Sequence, residues 1–281
     1  MNCYATITVI GRDKTGVVAK VTNLLFETKA NIEALEEQVT RGQFSMTIQA
    51  NWRVTVFNEK SLGQGLRALG RELGMEIKWW FTDPKRPQRM ALMVTREPHC
   101  LDAILESVKS RKLKMEIVAV VGNHRDLKAK VEKAGLPFHH VSWTNRAKAE
   151  AKALRILEKA QVDFVVLARF MKILSPNFVW RFKNKIINIH PSLLPGFPGP
   201  QPYRQAHEHG VKIAGVTAHF VSMHLDEGPI IAQESFRIKP GMTLKQIVAA
   251  GQKLESKALV KGIRLYLTKQ LDVHWGVVKE V

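Results

Sequence analysis

Two cysteines, Cys3 and Cys100, are all that this chain of 281 residues contains. That is too few for a disulfide framework and points to a reducing compartment, the cytoplasm. Long apolar runs are also missing; nothing approaches the roughly 20 residues that a bilayer span needs, so no membrane partner is expected. The start, MNCYATITVIGRDK, has no basic stretch ahead of an apolar one, and no secretory signal is expected. No G-x-G-x-x-G or Walker pattern follows a strand-like run, which argues against a nucleotide held by a glycine loop. No serine or cysteine sits at a nucleophile elbow, so an attacking group would be water or a second substrate. Cys100 follows His99, but sequence neighbours do not generally face each other, and a thiolate–imidazole pair is not expected. The pairs His219/His224, His207/His209 and His139/His140 make no H-E-x-x-H or C-x-x-C pattern, so no metal site is expected. Acidic residues are scarce, 25 against 43 lysines and arginines, for a net charge of +18. Such a surface attracts polyanions, either nucleic acid or a small polycarboxylate. The basic residues are scattered and form no block, so a solvated surface explains them equally well and no nucleic-acid partner is expected.

What the chain does contain falls into two patterns. Residues 4–11 alternate like a strand, DKTG turns into a helical pattern (Val17, Val18, Val21, Leu24, Leu25) that runs to Lys29, and residues 31–40 and 43–54 read as strands meeting at Arg41-Gly42. Ser61 to Leu73 reads as a helix and MEIKWWF as a last strand. The order β-α-β-β-α-β predicts a ferredoxin-like antiparallel unit over residues 1–84. TDPKRPQR, with two prolines and nothing to bury, is a linker.

From residue 85 to 281 strands and helices alternate. RMALMVT, MEIVAVVGN, FHHVSW, DFVVLARF and KIINIH read as strands, separated by helices over 101–109, 126–134 and 147–159. The near-continuous apolar runs suit strands buried on both faces, and the alternation predicts a doubly wound, mostly parallel, Rossmann-like sheet. Further strands flank a turn that holds Asp226, and Leu244 to Leu267 closes the unit as a helix. Ligands bind such sheets beyond the carboxyl ends of the strands.

At one such end stands IINIHPSLLPGFPG. Asn188 and His190 are two apart in an extended segment, so their side chains point the same way. Prolines and glycines then forbid regular structure for about a dozen residues. An amide donor, an imidazole and, if its turn folds back, the carboxylate of Asp226 suit attack on a carbonyl carbon through an oxyanion. By spacing alone a structural histidine at a strand end is the commoner arrangement.

VVLARFMKILSPNF, IINIHPSLLPGFPG and TAHFVSMHLDEGPII, in this order and spacing, resemble the catalytic domain of the enzymes that use 10-formyltetrahydrofolate. The resemblance implies a formyltransferase fold, Asn188, His190 and Asp226 as the catalytic set, and a substrate pocket of Met171, Lys172, Ile173, Leu174, His219, Val221 and Leu225. It implies no cofactor, the folate being the substrate. The N-terminal pattern resembles an ACT domain. Together the two resemble the formyltetrahydrofolate deformylases, which release formate with water as acceptor and feed purine synthesis and the one-carbon pools. Where the ribonucleotide formyltransferases have a glycine-rich loop after the first catalytic strand, this chain reads TREPHC. Two alternatives stand beside the hydrolase: a transferase passing the formyl group to an amine of the glycinamide ribonucleotide type, and a folate- or amino-acid-sensing protein without catalysis. Deformylases usually carry a second histidine after the catalytic one; here it is Pro191, as in the transferases. The ACT resemblance implies a homo-oligomer and a small amino acid received at Gly11, Asp13 and Gly16, where two glycines flank a charged turn ahead of a helix.

Overall fold

A computed structural model of the chain describes residues 2–40, 42–82, 86–274 and 277–280. The chain divides into two compact units, Met1–Arg86 and Pro87–Val281. The expected boundary between 84 and 85, with part of the linker, lies outside the described residues.

The first unit runs β1 (Asn2–Arg12), α1 (Val17–Glu27), β2 (Asn31–Thr40), β3 (Gln43–Arg53), α2 (Glu59–Leu73), β4 (Glu76–Thr82). The sheet order is β2-β3-β1-β4 with every pair antiparallel. Ala5, Ile7 and Val9 of β1 pack with Val17, Val21 and Leu25 of α1 and with Leu62, Leu66 and Leu69 of α2. α2 begins two residues before its expected start because Asn58 accepts a hydrogen bond from the Ser61 amide. α1 ends before Lys29, which takes a left-handed φ of 64°. β2 is an edge strand with Leu35 and Val39 exposed and a register shift between Ile32 and Ala34.

The second unit runs β5 (Gln88–Val94), α3 (His99–Lys109), β6 (Met115–Gly122), α4 (Lys128–Lys133), β7 (Phe138–His140), α5 (Arg146–Lys159), β8 (Phe164–Ala168), α6 (Pro176–Arg181), β9 (Ile186–His190), α7 (Pro202–Glu208), β10 (Ile213–Phe220), β11 (Ile230–Arg237), α8 (Leu244–Leu267), β12 (Leu271–His274) and β13 (Val277–Glu280). The seven-stranded order is β11-β10-β9-β8-β5-β6-β7. β5 to β9 pair in parallel, while β10 is antiparallel to both its neighbours. Each face of the sheet has its own core. One holds Leu101, Ile104, Leu259 and Ile263 of α3 and α8, the other Ala153 and Leu157 of α5 with Phe178 of α6. β5 and β8, wholly apolar over most of their length, are buried against both.

The chain moves outward from β5 through β6 and β7, then returns to the other side of β5 for β8 and β9. This reversal opens a crevice at the carboxyl ends of β5 and β8. The irregular stretch after His190 ends at Pro202, which starts α7; the missing N–H of proline costs nothing in a first turn. The short helix α6 and the hairpin β12–β13 were not anticipated from the sequence, and FHHVSW keeps strand geometry only through His140. Among the described residues no helix is long and apolar enough to cross a membrane.

Candidate active site

Beyond the ends of β8 and β9 lies a cavity of about 670 Å³. Asn188 and His190 reach it from β9, and Asp226 from the turn between β10 and β11. Asp226 takes a left-handed backbone, φ 58°, which aspartate tolerates better than most residues. Gly228 makes that turn possible: a Cβ there would lie 1.7 Å from the Phe220 carbonyl oxygen. The aspartate and glycine of the LDEG motif are thus linked by geometry, the glycine allowing the fold-back that presents the carboxylate.

The side chains form one network. Asp226 Oδ2 is 3.3 Å from His190 Nδ1 and accepts the Gly199 amide at 3.0 Å. His190 Nε2 donates to the Phe197 carbonyl at 3.0 Å. Both of these partners come from the proline-rich loop after β9, so that loop holds the imidazole from one side and the carboxylate from the other. His190 and Asp226 side chains are 6% and 8% exposed, dry enough for their contacts to carry weight.

His219 faces Asn188 across the β9–β10 pairing. Its Nδ1 lies 2.9 Å from the Phe220 carbonyl, which can only accept, so Nδ1 carries the proton. Nε2 is then an acceptor, and Asn188 Nδ2 donates to it at 3.1 Å. Burial pushes the His219 pKa down to about 4, against smaller opposing contributions from the Phe220 carbonyl and Asp226. A neutral His219 therefore fixes which way the Asn188 amide points and leaves its second N–H for the cavity.

Met171, Lys172, Ile173, Leu174, His219, Val221 and Leu225 all line the same cavity. Met171, Ile173 and Leu225 are 58%, 60% and 52% exposed, an open apolar rim that suits a flat aromatic ligand. The 171–175 segment is pinned at both ends. The Met171 amide donates to Thr95 Oγ1 at 3.1 Å, and the Ser175 amide donates to Glu150 at 2.7 Å while the Ser175 hydroxyl bonds the other Glu150 oxygen.

Sequence reading missed Glu150, and it missed a second polar cluster on the cavity wall. Glu255 of α8 is fully buried and accepts from His99 Nε2 at 2.8 Å and Tyr203 Oη at 2.8 Å, with Arg169 Nε 3.4 Å away. Burial alone would raise its pKa, but His99, Arg169 and Tyr203 outweigh that and hold it below the usual carboxylate value. The legible signal was a carboxylate on the buried stripe Ile247, Gly251, Glu255, Ala258 and Leu259 of α8. Among the described residues, His99, Cys100 and Glu255 are the one group of three whose ligand atoms lie within 4.8 Å of one another. Their chemistry does not suit a cation. Both Glu255 oxygens are already engaged, Arg169 adds a positive charge, and burial pushes the Cys100 thiol far up. The same burial makes Cys100 inert as a nucleophile, and His99 turns to Glu255.

In the first unit Gly11 belongs to β1, where Met75 packs directly on it. The Asp13 amide donates to Gly42 O at 2.9 Å, and Gly16 opens α1 with φ 86°. Asp13 and Gly16 are exposed.

Residues 88–263 match the formyl transferase family model, and residues 4–79 match that of the ACT domain. The chain is 37% identical over 267 residues to a formyltetrahydrofolate deformylase of Escherichia coli K12, covering 93% of this chain and 92% of that one. A crystal structure of a formyltetrahydrofolate deformylase from Pseudomonas syringae pv. tomato superposes with a TM-score of 0.68 at 32% identity, covering 100% of this chain and 94% of that one. Glycinamide ribonucleotide transformylase 1 from Symbiobacterium toebii superposes with a TM-score of 0.67 at 30% identity, but covers only 72% of this chain while 97% of its own length is used.

Proposed function

The chain belongs to the formyltetrahydrofolate deformylases and is a hydrolase, and we propose that it turns 10-formyltetrahydrofolate and water into tetrahydrofolate and formate through Asn188, His190 and Asp226. The observation that carries the residue assignment is the convergence of an oriented amide, an imidazole and a carboxylate on one cavity wall. Asn188 donates its free N–H to the formyl oxygen and, as water attacks, to the growing oxyanion. Asp226 Oδ2 is held by Gly199 and faces His190, which leaves Oδ1 to take the proton of water. His190 shares the oxyanion through its Nε2–H; the proton taken by Asp226 crosses to His190 Nδ1, 3.3 Å away, as Nε2 gives its own proton to N10, so that the C–N bond breaks and formic acid leaves and ionises to formate. In the free enzyme Phe197 occupies His190 Nε2, so turnover requires that this N–H pass from the carbonyl to the substrate. Pro191 stands beside His190 where a second histidine is usual, and the water is handled here by Asp226 alone.

The acceptor is water because the segment after β5 offers little to a phosphate. Pro98 has no N–H, Glu97 repels an anion, and Glu97 and His99 are engaged with Gln252 and Glu255 of α8. The decisive assay follows formate from 10-formyltetrahydrofolate with no amine present, and again with glycinamide ribonucleotide at moderate salt. Formate without an acceptor is expected, with the ribonucleotide neither bound nor formylated. A strict need for an acceptor, or micromolar binding of the ribonucleotide, would replace the hydrolase by the transferase. No release at all would leave the sensing reading.

The ACT unit assembles copies of the chain and regulates it, receiving a small amino acid near Gly11, Asp13 and Gly16. The supporting observations are the ACT match and the exposed turn ahead of α1. Titration with glycine and with methionine by calorimetry, alongside sedimentation, tests both halves: absent heat removes the ligand, and a monomer at working concentration removes the assembly.

A further inference from the structure

The cluster around Glu255 is costly. A fully buried carboxylate must be matched by several donors or it destabilises the fold. Here the donors come from separate segments: His99 from the first turn of α3, Arg169 from the end of β8, and Tyr203 from the first turn of α7. The helix that carries Glu255 is shaped for one of them. Gly251 stands one turn earlier, and a Cβ there would lie 2.1 Å from the Tyr203 oxygen. Only glycine lets the Tyr203 ring lie on α8 and reach Glu255.

Tyr203 is four residues beyond Gly199 and six beyond Phe197. Those two residues supply the amide that holds Asp226 and the carbonyl that holds His190. The joint between them is stiff: Gln201 opens α7 in a left-handed conformation, φ 54°, and Gln205 Nε2 donates back to the Pro200 carbonyl at 2.8 Å. The far end of the catalytic loop is thus fastened to α8 by the buried Tyr203 ring and its hydroxyl, while its middle is held by Thr217 of β10 and Gln233 of β11, which bond the Leu194 amide and carbonyl at 3.0 Å each. Its near end is fastened by β9.

We propose that Glu255 and Tyr203 are positioning residues for the hydrolytic reaction: they anchor the Pro191–Gln201 loop so that Phe197 and Gly199 set His190 and Asp226 in register. This rests on the assignment of His190 and Asp226 to the chemistry. Neither Glu255 nor Tyr203 handles a proton of the reaction; they act through the loop. A displacement of about 1 Å in catalytic groups costs on the order of a hundredfold in rate, so even partial loosening is measurable.

The test uses the full chain with Tyr203→Phe, which keeps the ring over Gly251 and removes only the hydroxyl, and Glu255→Gln, which keeps the shape and removes the charge. Both are compared with Asp226→Asn. In the folded variants kcat is expected to fall by about tenfold with KM changed less than twofold, as for an interaction expressed in the transition state. The imidazole N–H resonance of His190, seen in protein labelled with ¹⁵N-histidine, is expected to move or broaden in both. A purely structural contact would lower the melting temperature and leave that resonance and kcat alone. Parent-like kcat in either folded variant, or a rise in KM at unchanged kcat, overturns the proposal. If Asp226→Asn itself stays active, the catalytic assignment fails first; if it is inactive while Tyr203→Phe is parent-like, the anchor alone fails.

Discussion

Among the described residues of the N-terminal unit the buried polar side chains are Thr6, Thr8, Ser45 and Asn51, none of which ionises; in the C-terminal unit they include Glu150, Arg181, His190, His219 and Glu255. Both units solve the same packing problem, a sheet covered by helices, and both do so with ordinary aliphatic cores. Burying an ionisable group is expensive, and an apolar side chain of similar volume is often the more stable choice. The described core of the first unit is packed without such a group. The second keeps them, and four of the five sit on the cavity or hold a segment that lines it. Surface charge divides in the same way: residues 87–281 carry 31 lysines and arginines against 16 acidic residues, and residues 1–86 carry 12 against 9. The unit with the site is also the one whose field attracts a polycarboxylate such as a folate tail.

The comparison breaks most visibly at Asp226. Asp226→Asn is expected to lower kcat by about 10²–10⁴, the usual cost of a general base, with KM within a few-fold. Activity near that of the parent would make Asp226 a structural residue like those of the first unit. His219→Leu comes next, removing the acceptor for Asn188 while keeping the bulk; a fall in kcat of about tenfold is expected as the amide loses its fixed orientation.

His219 also predicts a pH dependence of stability. Its pKa is about 4 in the folded chain against 6.5 for the free side chain, so between these values the unfolded state binds the extra proton. Stability contributed by neutral His219 is therefore present above pH 6.5 and is lost as pH falls toward 4, by roughly 3 kcal/mol over the window. Urea midpoints of the parent should fall through this range more than those of His219→Leu; parallel curves would mean that His219 is not held neutral.

Smaller effects sharpen the contrast. Glu150→Ala releases Ser175 and should raise KM several-fold more than it lowers kcat, because the 171–175 segment lines the binding cavity and not the reacting atoms. Equal losses in both would move Glu150 into the catalytic machinery. In the first unit, Asn51→Ala breaks the bonds to Asn2 and Glu33 and should cost about 1 kcal/mol of stability, with kcat unchanged. A rate effect there would show that the polar groups of the two units do not differ in kind.

The strands of the second unit were readable because residues such as Phe164 to Ala168 form unbroken apolar runs, and Asn188 and His190 were readable as polar residues at the end of one. α6 was missed although Ser175 and Pro176 are a cap and a first-turn proline, since its six residues show too little periodicity. The anchor around Glu255 left one local mark, a carboxylate on the apolar stripe of α8, and nothing local pointed to its partners. Its bonds join residues 52 and 156 positions apart, and only the folded sheet brings them together. Gly251 in mid-helix is unfavourable for a helix by itself; its reason is the tyrosine lying on it.

The edge strand β2 bears on how the protein behaves in a concentrated solution. Ten residues long and exposed along most of its length, it pairs with β3 on one side and stands at the edge of its sheet. Glu33, Glu36 and Glu37 stand on it, and the register shift at Glu33 breaks its straight run. Carboxylates and a bulge are the two devices that make an edge a poor template. Their consequence is colloidal: substitutions that remove these carboxylates leave this edge a better template for sheet growth between molecules.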